Sequence, residues 1–357
     1  IRRHPLSHRA GRLRSKASIM LNLGFIGCGG IARHHASRLR QIPRSVRVTA
    51  AADVDGKAAD AFARDFGSSD VAAFTDYGDL LKSGTVDAVM VCTPTYLHAA
   101  PVIAAARAGV HVFCEKPMAL KLGDAHRMAE ACERHGVRLT IGFVRRFDPF
   151  WGCMRKIVES GVLGGPVIWR SVSAGHQNTV WMRNIDKGGG PLMDGGIHNY
   201  DFALQMLGPA ESVQASSMLF DTTSVGTDTA SAIITFTAGH QLLMNWSWGV
   251  PVGVRSSGVN DVIGPAGALP IQPVIPDKRP KGFDPEKQQA LVVSLKNGTQ
   301  RARTYRPGDM FLEQMKHVCR HFARGTQPLV TGADGIRALE VAVAVLKSGR
   351  TRRTVRL

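Results

Sequence analysis

The chain has 357 residues, 44% of them hydrophobic and 20% charged, with a formal charge of +17. That balance predicts two or three globular domains and excludes disorder, collagen and coiled coil. No apolar run approaches the ~18 residues of a membrane span, and six scattered cysteines without a CxxC pair argue against a zinc ribbon or a disulfide framework. A reducing, cytoplasmic setting is the expectation, with no membrane partner.

Six of the positive charges lie on residues 1–19, which carry no acid and no apolar periodicity. This stretch reads as a basic disordered arm or an expression-derived start, with Met20 as the initiator. The remaining excess is dispersed, which favours small anionic molecules over nucleic acid.

From Leu21 onward, short apolar runs alternate with helical stretches. Strands are expected at Leu21–Ile26, Val46–Ala52, Asp87–Cys92, Val110–Cys114 and Val137–Phe143. Helices are expected at Ile31–Arg40, Lys57–Phe66, Leu97–Ala108 and Gly123–His135. Strands this apolar must be covered on both faces, so residues 20–143 read as a doubly wound parallel sheet.

The texture changes in residues 144–357. Helices at Phe150–Ser160 and Pro191–Leu207 are followed by alternating strands at Val167–Ser173, Ser212–Phe220, Thr229–Phe236 and Gln241–Trp248. Strands in succession predict a separate α+β domain with a large, mostly antiparallel open sheet. The proline-rich stretch Pro251–Pro285 reads as an irregular excursion holding one short strand at Asn260–Ile263. Helices at Met310–Ala323 and Asp334–Ser348 and a basic strand close the chain, the last helix packing back on the first domain.

Four motifs carry chemistry. Gly27-Cys28-Gly29-Gly30-Ile31-Ala32 is a GxGxxA placed directly after a strand and opening a helix. Gly27 permits a tight turn, and Gly29, with Gly30 and Ile31, lets backbone approach a pyrophosphate. Ala32 keeps the helix close to the sheet. Asp53, with Val54 beside it, ends the second strand, where a carboxylate accepts from adenosine ribose hydroxyls and repels a 2′-phosphate. NAD is therefore expected over NADP. Cys92-Thr93-Pro94-Thr95-Tyr96-Leu97-His98 ends a strand near the switch point, where nicotinamide should sit; read alone, both threonines serve equally as helix caps. Cys92, Thr93, Pro94, Thr95 and His98 are counted with the cofactor site, as is Glu115.

Glu115-Lys116-Pro117 follows the next strand and holds Lys116 as a pre-aimed donor, or, in isolation, as a solvated surface residue. Pro191 opens the segment carrying Asp194 and His198, four apart and so on one helical face. A carboxylate beside an imidazole raises its basicity, although a helical Asp–His pair is also a common structural feature. Gly195 and Gly196 are odd in a helix and imply close approach by a ligand or another backbone. No metal site is expected, because no third ligand accompanies this pair. Neither GxSxG nor GxxxxGK[ST] occurs, which disfavours a serine hydrolase or a P-loop ATPase.

GFIGCGGIA, ADVD, CTPTYLH, EKPMAL and GGGPLMDGGIHNYD stand in this order and at these intervals. Together they resemble the glucose–fructose oxidoreductase, inositol dehydrogenase and rhizopine-catabolism (Gfo/Idh/MocA) family, from about Leu21 to the C-terminus. The resemblance implies an N-terminal Rossmann domain, a C-terminal sheet that often forms subunit interfaces, and a homodimer or homotetramer. It implies Lys116, Asp194 and His198 as the catalytic set. Two positions depart from the family: Thr95 stands where Asn is frequent and Asn199 where Asp is common, both near the substrate or nicotinamide.

The expected function is NAD-dependent oxidation of a secondary hydroxyl on a cyclic polyol or sugar. His198 takes the hydroxyl proton, directly or through Lys116, Lys116 steadies the alkoxide, and Asp194 orients His198 or binds a neighbouring hydroxyl. Trp181, Arg183 and Arg146 are further expected substrate contacts, with loop packing the alternative. Two other readings remain: a redox-neutral glycoside hydrolase or lyase that uses NAD transiently, and a non-catalytic NAD-binding sensor.

Overall fold

The computed structural model describes residues 20–68, 71–254, 256–276 and 279–357. The basic arm at 1–19 lies outside the described residues. The first half runs β1 (Leu21–Ile26), α1 (Gly30–Leu39), β2 (Val46–Ala52), α2 (Gly56–Phe66), β3 (Ala72–Phe74) and α3 (Tyr77–Lys82). It continues with β4 (Ala88–Val91), α4 (Ala99–Arg107), β5 (His111–Cys114), α5 (Leu122–Arg134) and β6 (Leu139–Ile141). The six strands are parallel in the order β3-β2-β1-β4-β5-β6. Chain direction reverses its walk between β1 and β4, so a crevice opens beyond their carboxyl ends.

Alternation along β1 divides the core. Leu21, Leu23 and Phe25 face α1, α2 and a helix from the C-terminal end of the chain, α8 (Met310–Ala323). Met315, Val318, Cys319 and Phe322 of α8 complete that layer. Ile26 and its neighbours on β4 and β5 face the other way, toward α4, α5 and α9 (Gly332–Thr351). The sheet is thus buried on both sides, as parallel pairing requires. The final helix does pack on this sheet's helical layer, through α5. Its start is fixed by a capping box, Thr331 with Asp334, which is worth about 1 kcal/mol.

The second half contains α6 (Pro149–Glu159), β7 (Ile168–Ala174), α7 (Ile197–Leu207), β8 (Ala210–Met218), β9 (Thr229–Phe236) and β10 (Gln241–Ser247). Then come β11 (Val259–Gly264), β12 (Gly267–Pro270), β13 (Gln289–Leu295), β14 (Gln300–Tyr305) and β15 (Val355–Arg356). They form a nine-stranded sheet, β14-β13-β12-β11-β7-β10-β9-β8-β15, antiparallel except where β7 meets β10. Trp169, Ile234, Leu242 and Met244 point inward and are fully buried.

Several sequence expectations change here. The short β3 and α3 are additions to the expected elements, as are β13 and β14 beyond the proline-rich stretch, and β12 gives that stretch a second strand where one is expected. The segment Pro191–Leu207 is not one α-helix. Pro191–Gly195 forms a π-helical turn, and the regular helix α7 begins only at Ile197. The cause is close packing: a β-carbon on Gly195 would lie 2.6 Å from the Trp246 ring and 3.0 Å from Trp248. Gly195 therefore answers to an approaching pair of indoles, and Gly196 to the Leu192 carbonyl and the Tyr200 hydroxyl, 2.8 and 2.9 Å from where its β-carbon would lie.

Candidate active site

The crevice beyond β1 and β4 is a cavity of about 530 Å³. Gly27, Gly29, Gly30 and Ile31 form one wall, Asp53 and Val54 the far end, and Cys92, Thr93, Pro94 and Thr95 the opposite side. Gly27 has φ +89°, and a β-carbon there would come within 2.8 Å of the Cys92–Thr93 backbone. Only glycine serves both demands. At Gly29 and Gly30, by contrast, an added β-carbon meets nothing within 4 Å. The first turn of α1 carries no acidic residue and no side-chain cap, so its free N–H groups face open space.

These features fit a dinucleotide: a bare helix N-terminus for the pyrophosphate, and a carboxylate at the end of β2. Asp53 Oδ2 accepts from Cys28 N at 2.8 Å and Oδ1 from Asp55 N at 3.0 Å. The carboxylate is thereby held in place while retaining further acceptor capacity. Thr93 lines the cavity, and its hydroxyl is enclosed without a hydrogen-bond partner. Ala32 is fully buried and packs α1 on the sheet, as its place in the motif requires.

At the inner end stand Lys116 and Asp194, while His198, four residues further along the chain, is not part of the cavity wall. Lys116 Nζ donates to Asp194 Oδ1 at 3.1 Å and to the Asp194 carbonyl at 3.2 Å. Both residues line the cavity. The π-turn thus presents both oxygens of one residue to a single amine. His198 makes no hydrogen bond to Asp194 or to Lys116. Its Nδ1 is enclosed without a partner, whereas Nε2 is unpartnered and not enclosed. Burial, then the charges of Lys116 and Arg145, push the imidazole well below the usual histidine range. The expectation that Asp194 raises the basicity of His198 is therefore corrected: the carboxylate is engaged by Lys116, and the surroundings of His198 disfavour its charged form.

Trp181 reaches the cavity, together with Thr179 and Met182 of the same loop. Arg146 and Arg183 do not. Arg146 Nε donates to Asp201 Oδ1 and Oδ2 at 3.1 and 3.0 Å, and Nη2 lies 3.1 Å from Asp334. Arg183 is buried and bound to Asp221, Thr223 and Ser224. Their guanidiniums hold loops and helices together instead of facing the cleft. His98 also departs from expectation. It is fully buried, with Nδ1 2.9 Å from the Pro117 carbonyl and Nε2 2.8 Å from the Thr93 carbonyl. Glu115 touches the cavity, yet its carboxylate turns away to His35 and to the Lys116 backbone.

Sequence reasoning missed Arg145, which precedes Arg146 and could not be told from it by pattern. Arg145 Nη1 donates to Asn199 Oδ1 at 2.6 Å, and its guanidinium stacks 4.3 Å above Trp151. Burial lowers it to about 10. Asn199 Nδ2 in turn donates to Ser171 Oγ at 2.8 Å, tying α7 to the nine-stranded sheet. An aspartate at 199 could meet Ser171 only as an acceptor of the serine hydroxyl, so the asparagine sets the direction of this bond.

A family profile described as "Oxidoreductase family, NAD-binding Rossmann fold" matches residues 21–143, and the GFO/IDH/MocA C-terminal domain matches residues 152–269. The chain belongs to the GFO/IDH/MocA oxidoreductase family. Within it, the myo-inositol 2-dehydrogenase of Thermotoga maritima is 30% identical over 347 residues, spanning 94% of this chain and 98% of that enzyme. The scyllo-inositol 2-dehydrogenase (NAD(+)) of Bacillus subtilis is 26% identical, over 93% of this chain and 95% of its own length. Among solved structures, the aldose-aldose oxidoreductase of Caulobacter crescentus, complexed with glycerol, superposes with a TM-score of 0.78 at 26% identity. It covers 95% of this chain and 100% of its own. This GFO/IDH/MocA member is thus an NAD-binding oxidoreductase. Among the described residues, no helix is long and apolar enough to cross a membrane.

Proposed function

We propose that the protein oxidises a secondary hydroxyl of a cyclic polyol or sugar with NAD, using Lys116, Asp194 and His198. The observation that carries this reading is the contact of Lys116 with Asp194 at the end of the dinucleotide crevice. Bound NAD supplies the hydride acceptor. His198 Nε2, unpartnered and neutral, takes the hydroxyl proton. Lys116 Nζ donates to the oxygen as negative charge develops on it, and Asp194 fixes where that amine points. Trp181 and Met182 lean over the same cavity and supply an apolar face for a ring. The inositol and aldose names of the relatives agree with a polyhydroxylated substrate.

The outer face of the nine-stranded sheet carries Ile168, Val172, Ile233 and Leu243, none fully buried, and suits a second copy of the chain. The six cysteines, all free and buried, suit a reducing compartment.

The test is NADH formation by the purified protein with NAD⁺ over a panel of inositols, aldoses and sugar acids, with NADP⁺ in parallel. A signal confined to one or two polyols supports the reading. Glycoside consumption without NADH build-up would replace it with the redox-neutral chemistry, and NAD binding without any turnover with a sensor.

A further inference from the structure

Lys116 has four rotatable bonds, so the 3.1 Å contact with Asp194 depends on where its backbone is held. The structure answers that with a buried device on the side away from the cleft. Glu115, the preceding residue, directs Oε2 to the Lys116 N–H at 3.0 Å and Oε1 to His35 Nε2 at 2.6 Å. His35 is fully buried on α1, its ring edge-on to Phe113 at 5.2 Å and to Phe311 at 5.6 Å. The carboxylate fills the space a side chain would need at Gly142, where a β-carbon would come within 3.0 Å of it. Glycine at that strand end leaves the room. Burial alone raises the Glu115 carboxyl, but the His35 bond and the nearby charges more than offset this and hold it below the usual range.

We propose that Glu115 and His35 form the positioning pair of Lys116, anchoring the lysine's backbone to the same helix whose first turn receives the dinucleotide. His35 lies one turn and a half beyond Gly30, so α1 sets both the phosphate cradle and, through Glu115, the origin from which the Lys116 chain extends. Neither residue touches the reacting atoms. Their effect passes through Lys116 alone, and the inference rests on the role proposed for that lysine.

The test compares His35→Leu, which fills the volume but cannot bond Glu115, with His35→Gln, whose amide reaches the place of Nε2. His35→Leu is expected to lower kcat by about 10- to 100-fold, the scale of an ångström's misplacement, with little change in NAD affinity. His35→Gln is expected to restore most of it. In a Lys116→Met background, His35→Leu should cost nothing further; an equal loss in both backgrounds would mean a merely structural residue and overturn the proposal. If His35→Leu does not fold, Glu115→Gln, close in shape, takes its place in the same cycle. A crystal structure of the variant with NAD⁺ gives a reading independent of turnover. Lys116 Nζ should stand beyond about 4 Å from Asp194, outside ion-pair range, and a contact kept at 3.1 Å would contradict the pair's role. Should the wild-type protein oxidise no polyol at all, the substrate reading fails while this distance still decides the positioning.

Discussion

Asp194 gives both its carboxylate and its carbonyl oxygen to the amine of Lys116, at 3.1 and 3.2 Å, and neither to His198. That arrangement separates two roles. The carboxylate aims a donor, while the imidazole is left as a base without a carboxylate partner. Asp194→Ala is therefore expected to lower turnover by about 10²- to 10⁴-fold, the range of a positioned proton-transfer group. NAD affinity, read by fluorescence titration, should stay within about threefold. Asp194→Asn, which still offers an acceptor oxygen, should fall between that variant and the wild type.

The depressed value of His198 sets the pH behaviour. Burial, Lys116 and Arg145 all disfavour the imidazolium, so the base is neutral throughout the near-neutral range. The kcat/KM for oxidation should then show no histidine inflection between about pH 8 and 6.5. An inflection there that disappears in His198→Gln would contradict the assignment. Stability follows the same sign. The unfolded imidazole takes up a proton below about pH 6.5 and the folded one resists it, so stability present above that pH is lost as pH falls. His198→Gln should flatten that slope in urea unfolding.

Asp53 is the carboxylate that discriminates between the two dinucleotides. Replacing it by serine removes the charge facing a 2′-phosphate and the two backbone bonds from Cys28 and Asp55. The preference for NAD over NADP in kcat/KM should drop by about tenfold or more, equivalent to ~1.4 kcal/mol. An unchanged ratio would mean that another group reads the ribose.

Arg146 serves stability. Its guanidinium joins Asp201 and Asp334, both buried, and Asp201 is nonetheless pushed up to about 6, chiefly by burial. Arg146→Ala leaves two enclosed carboxylates without their shared cation. A loss of about 3–5 kcal/mol is expected in urea unfolding. The loss should be smaller near pH 5 than near pH 8, because a carboxyl with a raised value can take a proton at the lower pH. The KM for the polyol should move little.

How much of this could be read from sequence depended on periodicity. β1, α1 and β2 were legible because both-face apolar strands and a GxGxxA turn admit few alternatives, and Lys116 because a strand end and a proline frame it. β3 has only three residues, too short to show a period. β12 lies in the proline-rich stretch, where composition hides pairing that only the neighbouring strands reveal. The Asp194–His198 spacing misled for a different reason. Four residues apart means one face only while the helix keeps 3.6 residues per turn, and Trp246 packing over Gly195 breaks that condition. Likewise, Arg146 and Arg183 look available until their partners, Asp201 and Asp221, come in from distant chain.

The proposed polyol oxidation turns on His198 as proton acceptor. Its most direct test is the turnover of His198→Ala with the polyol that gives the strongest NADH signal, alongside NAD affinity on the same preparation. Turnover should fall by about 10²-fold or more, with NAD bound as tightly as by the wild type. Turnover that survives the substitution, or that falls only in step with NAD binding, would contradict the account.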